Sequence, residues 1–191
     1  MATKVVAIMG SPRRGGNTDI LLDEVLAAAR EAGGETTKYL IGALNIRPCY
    51  ELYHCAVDGT CTIQDDMLGL YEQLTTSDCI VLACPIFFYG MPSQTKALVD
   101  RCQALWVRRH VLKNWQPDVA HRKGAFIAVG ATRGPRLFDG VTLTAKYFFD
   151  AIGVTYTEEL LVKGVDAKGE VRETPSYLQD ARAMGARLLE S

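Results

Sequence analysis

No apolar run in this sequence is long enough to cross a bilayer. The longest are VLAAA, CIVLACPIFFYG and GAFIAVGA, all well short of the roughly 20 residues a spanning helix needs. No membrane partner is therefore expected. An excess of one charge is also lacking: 21 Lys and Arg stand against 22 Asp and Glu, a net charge of −1. That balance offers no electrostatic basis for nucleic-acid binding and no charged tail. Histidine is scarce, and His54, His110 and His121 have no evident triad partners. Internal repeats and low-complexity segments are missing. The opening MATKVVAIMG has one Lys and a short apolar run that passes into a Gly-rich turn. It reads as a first strand rather than a secretory leader. The expectation is a cytoplasmic protein, in which six cysteines mean buried thiols, a metal site or redox chemistry and not a disulfide frame.

What is present is an alternation. At 191 residues a single domain spanning 1–191 is expected. KVVAIMG, ETTKYLI, DCIVLACP, KGAFIAVG and VTYTEELLVKG read as five strands; the third is apolar throughout and so central. Between them lie stretches with apolar residues at helical spacing: Thr18 to Arg30, the segment DDMLGLYEQLTT capped by Asp65 or Asp66, Pro92 to Trp106, Val141 to Ile152, and a last helix carrying Tyr177, Leu178, Ala181, Gly185 and Leu188. Strands alternating with helices predict an α/β fold, an open parallel sheet covered on both faces. Such sheets bind ligands outside the carboxyl ends of their strands, so the loops after strands one, three and four are the candidates for function.

The first of these loops, MGSPRRGGNTDIL, matches neither common nucleotide motif. Pro12 stands where the dinucleotide fingerprint needs its second glycine, and Gly16-Asn17 replaces the Lys-Ser/Thr of a P-loop. It is still dense in groups that hold phosphate. Ser11, Asn17 and Thr18 offer side-chain donors, Arg13 and Arg14 offer charge, and Gly15 and Gly16 let N–H groups turn inward at a helix start. The set suits one terminal phosphate monoester; a simple turn capped by Asn17 or Thr18 is the alternative. In CPIFFYGMPSQ, Phe87, Phe88 and Tyr89 at a strand end call for a flat group to cover them, or for burial under the next helix or a partner subunit. GATRGPRLFDG places Thr132 and Arg133 between Gly130 and Gly134, able to bond the polar end of the same ring or to form a mobile turn. Taken together the loops suggest FMN, with its phosphate at the first loop and its ring between the other two.

These stretches resemble a known group. GSPRRGGNTDILL is similar to the phosphate loop of the NAD(P)H-dependent FMN reductase and iron–sulfur flavoprotein family, and PIFFYGMPSQTKALVDRCQALW is similar to its flavin loop and following helix. GATRGPRLFDG and GVDAKGEV extend the likeness over nearly the whole chain. The resemblance implies a flavodoxin-like three-layer sandwich with strand order 2-1-3-4-5, noncovalent FMN, and a homodimer or homotetramer. It assigns phosphate contact to Ser11, Arg13, Asn17 and Thr18, and ring contact to Pro85, Ile86, Phe87, Phe88, Gly90 and Met91. Arg14, Tyr89 and the segment Thr132, Arg133 and Gly134 are further assignments; Arg133 is the candidate for the positive group near the reduced ring.

The stretch PCYELYHCAVDGTC carries Cys49, Cys55 and Cys61. Iron–sulfur members of the family space four cysteines here, and this chain matches the first, third and fourth, with Leu52 in place of the second. A four-iron cluster normally takes four thiolates, and a leucine side chain has no electron pair to offer iron. No iron–sulfur cluster and no other metal is expected; the loop reads as a remnant. A three-thiolate cluster with an external ligand and a zinc site using His54 are the alternatives. Cys79 and Cys84 read as small core residues, and Cys102 carries no assigned role.

The function these features predict is an oxidoreductase in which NAD(P)H reduces bound FMN, which then reduces a small acceptor such as a flavin or quinone. The flavin carries out the redox step, so no catalytic side chain is expected. Arg101, Arg108, Arg109, His110 and Lys113 could attract a nicotinamide phosphate or form a solvated helix face or subunit interface. The alternative function is a flavodoxin-like electron carrier. Such carriers are often strongly acidic, which speeds docking, and the near-neutral charge of this chain speaks against it.

Overall fold

The computed structural model of the chain describes residues 2–118 and 120–190. Its strands are β1 (Lys4–Met9), β2 (Glu35–Leu40), β3 (Cys79–Pro85), β4 (Lys123–Gly130) and β5 (Thr155–Lys163). Its helices are α1 (Asn17–Glu31), α2 (Cys55–Asp58), α3 (Met67–Thr76), α4 (Ser93–Arg101), α5 (Gln103–Trp106), α6 (Asp139–Ala151) and α7 (Pro175–Leu188). The five strands are all parallel, in the order β2-β1-β3-β4-β5. This is the parallel sheet expected from the alternation, in the flavodoxin-like order that the family resemblance implies.

Side chains on a strand alternate between faces, and here both faces are covered. Ala7 and Met9 of β1, Val81 and Ala83 of β3, and Ala125 and Ile127 of β4 pack beneath α1 and α7. Their neighbours Val6, Ile8, Ile80, Leu82, Phe126 and Ala128 pack beneath α3 to α6. The edge strands β2 and β5 alternate with exposed positions, as their polar sequences require. Helices α1 and α7 cross closely at Gly185, where a Cβ would lie 2.2 Å from the Val25 carbonyl oxygen. Among the described residues no helix is long and apolar enough to cross a membrane.

Two local expectations change. The helix read from Pro92 to Trp106 is divided at Cys102 into α4 and α5 and continues into a wide turn over Val107–Val111. Helix α3 does not take the expected acidic cap at its N-cap position. Asp66 stands there without a capping bond, because its carboxylate accepts the Asn45 N–H at 2.7 Å. Asp65 accepts the Met67 N–H at 3.1 Å, but its main partner is Arg101. Asp65 therefore serves the first N–H of α3 and a tertiary partner at once, whereas Asp66 serves only a tertiary one.

Candidate functional site

Beyond the carboxyl ends of β1, β3 and β4 lies a cleft enclosing about 100 Å³. Ser11, Arg13, Gly16, Asn17 and Thr18 line one side, and Pro85, Ile86 and Phe87 the other. The first loop is shaped by its own backbone. Gly15 has φ +65°, a conformation that favours glycine. Its N–H donates to the Asp19 carboxylate at 2.7 Å, and the Gly16 N–H donates to the Arg13 carbonyl at 3.1 Å. Asp19 is itself held by Lys38 of β2. The Ser11 hydroxyl accepts the Arg13 N–H at 3.2 Å, leaving its own O–H to donate.

The simple capped turn is not what forms. Gly16 is the N-cap of α1, and no side chain caps the helix. Its first N–H groups are therefore left open toward the cleft, together with the positive end of the helix dipole. A phosphate monoester fits this donor set: open N–H groups, a hydroxyl and the Arg13 guanidinium. Asn17, which lines the cleft, also has a task that its sequence did not suggest. Its Nδ2 donates to the Ala167 carbonyl at 2.9 Å and its Oδ1 accepts the Val171 N–H at 3.2 Å. Both ends of the amide are engaged in holding a distant loop.

The aromatic stretch forms a tight turn. Phe87 and Gly90 exchange two backbone hydrogen bonds of 2.9 Å, and between them Phe88 (φ 47°) and Tyr89 (φ 61°) both lie in the left-handed region. Hairpin turns with two positive φ values normally use Asn and Gly. Placing two large aromatics there stores strain of roughly 1–3 kcal/mol per residue. Burial does not compensate: Phe87 and Tyr89 are half-exposed and Phe88 is fully exposed. The N–H groups of Phe88 and Tyr89 at the tip have no backbone partner among the described residues. Gly90 closes the turn, while Met91 packs against the core beneath α3 to α6 and does not line the cleft.

The loop after β4 contributes Ala131 to the cleft wall, whereas Thr132, Arg133 and Gly134 sit outside it. The Thr132 carbonyl accepts the Gly164 N–H at 3.1 Å. The Arg133 guanidinium lies across Gly164, its Cζ 2.5 Å from where a Cβ would stand. Gly134 gives room to the Tyr89 hydroxyl, which would be 2.7 Å from a Cβ there. The loop thus braces the aromatic turn from outside.

A fourth segment, the loop after β5, completes the wall with Val165, Asp166 and Lys168. No site residue was assigned there from sequence, although GVDAKGEV was part of the family likeness. The readable signal was a charged, glycine-bounded loop directly after a strand. Glu170 shapes it by accepting the N–H groups of Asp166 and Ala167, each at 2.7 Å. Arg13 reaches across to the Asp166 carbonyl at 3.4 Å.

The cysteine stretch is a separate structure. Cys49, Cys55 and Cys61 line one cavity of about 460 Å³ with Tyr50, Leu52, Tyr53 and Ile63. Burial, then the neighbouring Cys61 and Cys49, raise the Cys55 thiol above its ordinary range. Among the described residues no group of three Cys, His, Asp or Glu side chains could hold a metal ion. With Leu52 in the wall, the residues present do not fit a four-iron cluster.

The loop is closed at its base without one. Arg101, fully buried, pairs with Asp65 at 2.6 Å and donates to the carbonyls of Arg47 (3.0 Å) and Ile63 (3.3 Å). Arg47 N–H in turn donates to Asp65 at 2.9 Å. Four of the five residues of the basic run read as a possible nicotinamide-phosphate site, all but Lys113, have partners elsewhere. Arg101 is this buried clamp, Arg109 and His110 pair with Asp150 at 3.0 and 2.9 Å, and Arg108 lies over Trp115. His121 is exposed beside Asp118. Cys79, Cys84 and Cys102 are buried core thiols.

Comparison with known proteins adds to this geometry. The profile of the NADPH-dependent FMN reductase family matches residues 3–140. An iron–sulfur flavoprotein of Methanosarcina thermophila is 35% identical over 130 residues, 68% of this chain and 64% of its own length. One from Archaeoglobus fulgidus is 41% identical over 101 residues, 53% of this chain and 51% of its own. The chain thus spans between half and two thirds of the length of these relatives. Among solved structures, an azoreductase from Bacillus anthracis superposes with a TM-score of 0.72 at 14% identity, covering 97% of this chain and 99% of the other, a likeness of fold.

Proposed function

The chain belongs to the NADPH-dependent FMN reductase family, and from that premise we propose that it is an FMN-dependent NAD(P)H oxidoreductase acting on a small acceptor such as a flavin or quinone. The observation that carries this reading is the pairing of two features across one cleft: an uncapped helix start beside Ser11, Arg13 and Thr18, and a strained, exposed aromatic turn at Phe87–Gly90.

Each wall has a defined task. The open N–H groups at the start of α1, the Ser11 hydroxyl and the Arg13 guanidinium hold the phosphate of FMN. The cleft is too narrow to enclose the whole nucleotide, so Pro85, Ile86 and Phe87 would meet the ring on its outward side. The free N–H groups of Phe88 and Tyr89 offer hydrogen bonds to its polar edge, and the strain in the turn keeps them aimed before ligand arrives. Thr132, Arg133 and Gly134 act from the rim, fixing the turn through Tyr89. Bound FMN would supply the redox chemistry, accepting hydride from the nicotinamide and passing electrons to the acceptor. The protein needs no acid or base for this.

Phe88, Leu143 and Tyr147 are large and exposed, which supports a homodimer or homotetramer that covers them. The test is calorimetric titration of apoprotein with FMN, followed by addition of NADPH or NADH without oxygen. Saturable binding and rapid bleaching of the yellow colour are expected. Bleaching by dithionite alone would indicate an electron carrier instead. Absence of FMN binding would end the proposal.

A further inference from the structure

We propose that Lys168 is the phosphate-selecting residue of the cleft, and that the loop after β5 is a fourth ligand-binding loop. This inference rests on the FMN reading above. Three charged side chains line the cleft: Arg13, Asp166 and Lys168. Arg13 and Asp166 together carry no net charge, although no ion pair joins them, since Arg13 reaches only the Asp166 carbonyl at 3.4 Å; Lys168 is the further cation. The lysine gives the cleft its positive sign. A phosphate monoester near neutral pH carries close to two negative charges, and beside a carboxylate it would be repelled unless a second cation were present.

The position of the lysine suits that role. Its stem crosses the phosphate loop at Gly15, with Cε 3.5 Å and Nζ 3.8 Å from where a Cβ on that glycine would stand. These are ordinary contact distances, so the lysine packs against the loop at this point while the positive φ of Gly15 sets the turn. Lys168 and Arg13 have no carboxylate partner among the described residues, so both charges are available to a ligand.

The loop carrying the lysine is also held in place at its base. Asn17 fastens Ala167 and Val171 to the first turn of α1 (2.9 and 3.2 Å). Glu170 fixes the N–H groups of Asp166 and Ala167, and the Glu170 N–H donates back to the Ala167 carbonyl at 3.1 Å. Only the long side chain of Lys168 remains free to move, from an anchored backbone beside the open helix start. A charge-assisted bond from this setting is worth about tenfold or more in affinity, and its benefit falls on the phosphate alone.

FMN and riboflavin share the ring and differ by the phosphate, so they separate the two halves of the argument. Titration of wild-type, Lys168→Met and Lys168→Arg proteins with each, read by calorimetry or fluorescence quenching, is the test. Lys168→Met is expected to raise the Kd for FMN about tenfold or more and leave that for riboflavin almost unchanged. Lys168→Arg is expected to restore FMN binding. Equal weakening of both ligands, or no weakening of FMN, overturns the inference while the FMN reading stands. Wild-type protein that binds neither ligand overturns the reading of the cleft itself.

Discussion

Arg101 and Asp65, 36 residues apart, form a two-pronged ion pair, Nη1 to Oδ2 at 2.6 Å and Nη2 to Oδ1 at 3.2 Å, with both side chains fully out of contact with solvent. The pair closes the base of the cysteine loop, and breaking it from one side leaves a buried charge. Asp65→Asn is expected to cost about 3–5 kcal/mol, measured by urea denaturation. Replacing both partners with apolar residues should recover much of that loss.

The same pair predicts an acid limb. Burial alone would push the Asp65 carboxyl up, but the Arg101 guanidinium and the N–H groups of Arg47 and Met67 outweigh it and hold its pKa below the usual value. A carboxylate lowered in the folded state stabilises the protein fully above its unfolded pKa. That stability is lost as pH falls from about 4 through the lower folded value. Wild-type stability should therefore decline below pH 4 more steeply than that of the double apolar variant, as thermal melts across pH 2–6 would show.

The turn at Phe88 and Tyr89 trades stability for readiness. Tyr89→Gly removes a left-handed aromatic and is expected to stabilise the apoprotein by about 1 kcal/mol. It also removes the hydroxyl seated at Gly134 and frees the turn. FMN binding should weaken several-fold even as the melting temperature of the apoprotein rises. Both falling together would show that the turn is not strained.

Asn17 should behave as a strut. Asn17→Asp keeps the shape but puts a carboxylate oxygen against the Ala167 carbonyl, at an expected cost of about 1–3 kcal/mol. Hydrogen exchange should accelerate at residues 167–171 before it does in β3. An unchanged exchange pattern would refute the tether.

Protein purified without oxygen should carry no stoichiometric iron and lack the broad brown absorption of a cluster. Its circular dichroism should also be unaffected by chelators, since the Arg101 clamp and not a metal closes the loop. Iron at four per chain would overturn the reading of Leu52.

The sheet was legible because its signals are local. Runs such as CIVLACP have one explanation when both faces are buried, and the strand order follows from the likeness carried by the loops. The cleft was legible where glycine and hydroxyl residues crowd a strand end, as from Ser11 to Thr18. Side-chain tasks were less so. The tethering task of Asn17 was hidden because its partners, Ala167 and Val171, are remote in sequence. Arg101 looked like part of a basic patch because its neighbours in the chain are basic, whereas its partner in space is Asp65. Lys168 gave little sign, since a single lysine in a polar loop has no periodicity or spacing to distinguish it.

The bond from Asn17 to Val171 spans 154 positions. On a ribosome, the residue that opens α1 waits for all of the segment between before its partner emerges. A pocket whose last wall is synthesised so late cannot be completed on a short nascent chain. Loading of the flavin is therefore expected only once the loop after β5 has emerged, and stalled chains that end before β5 should fail to retain it.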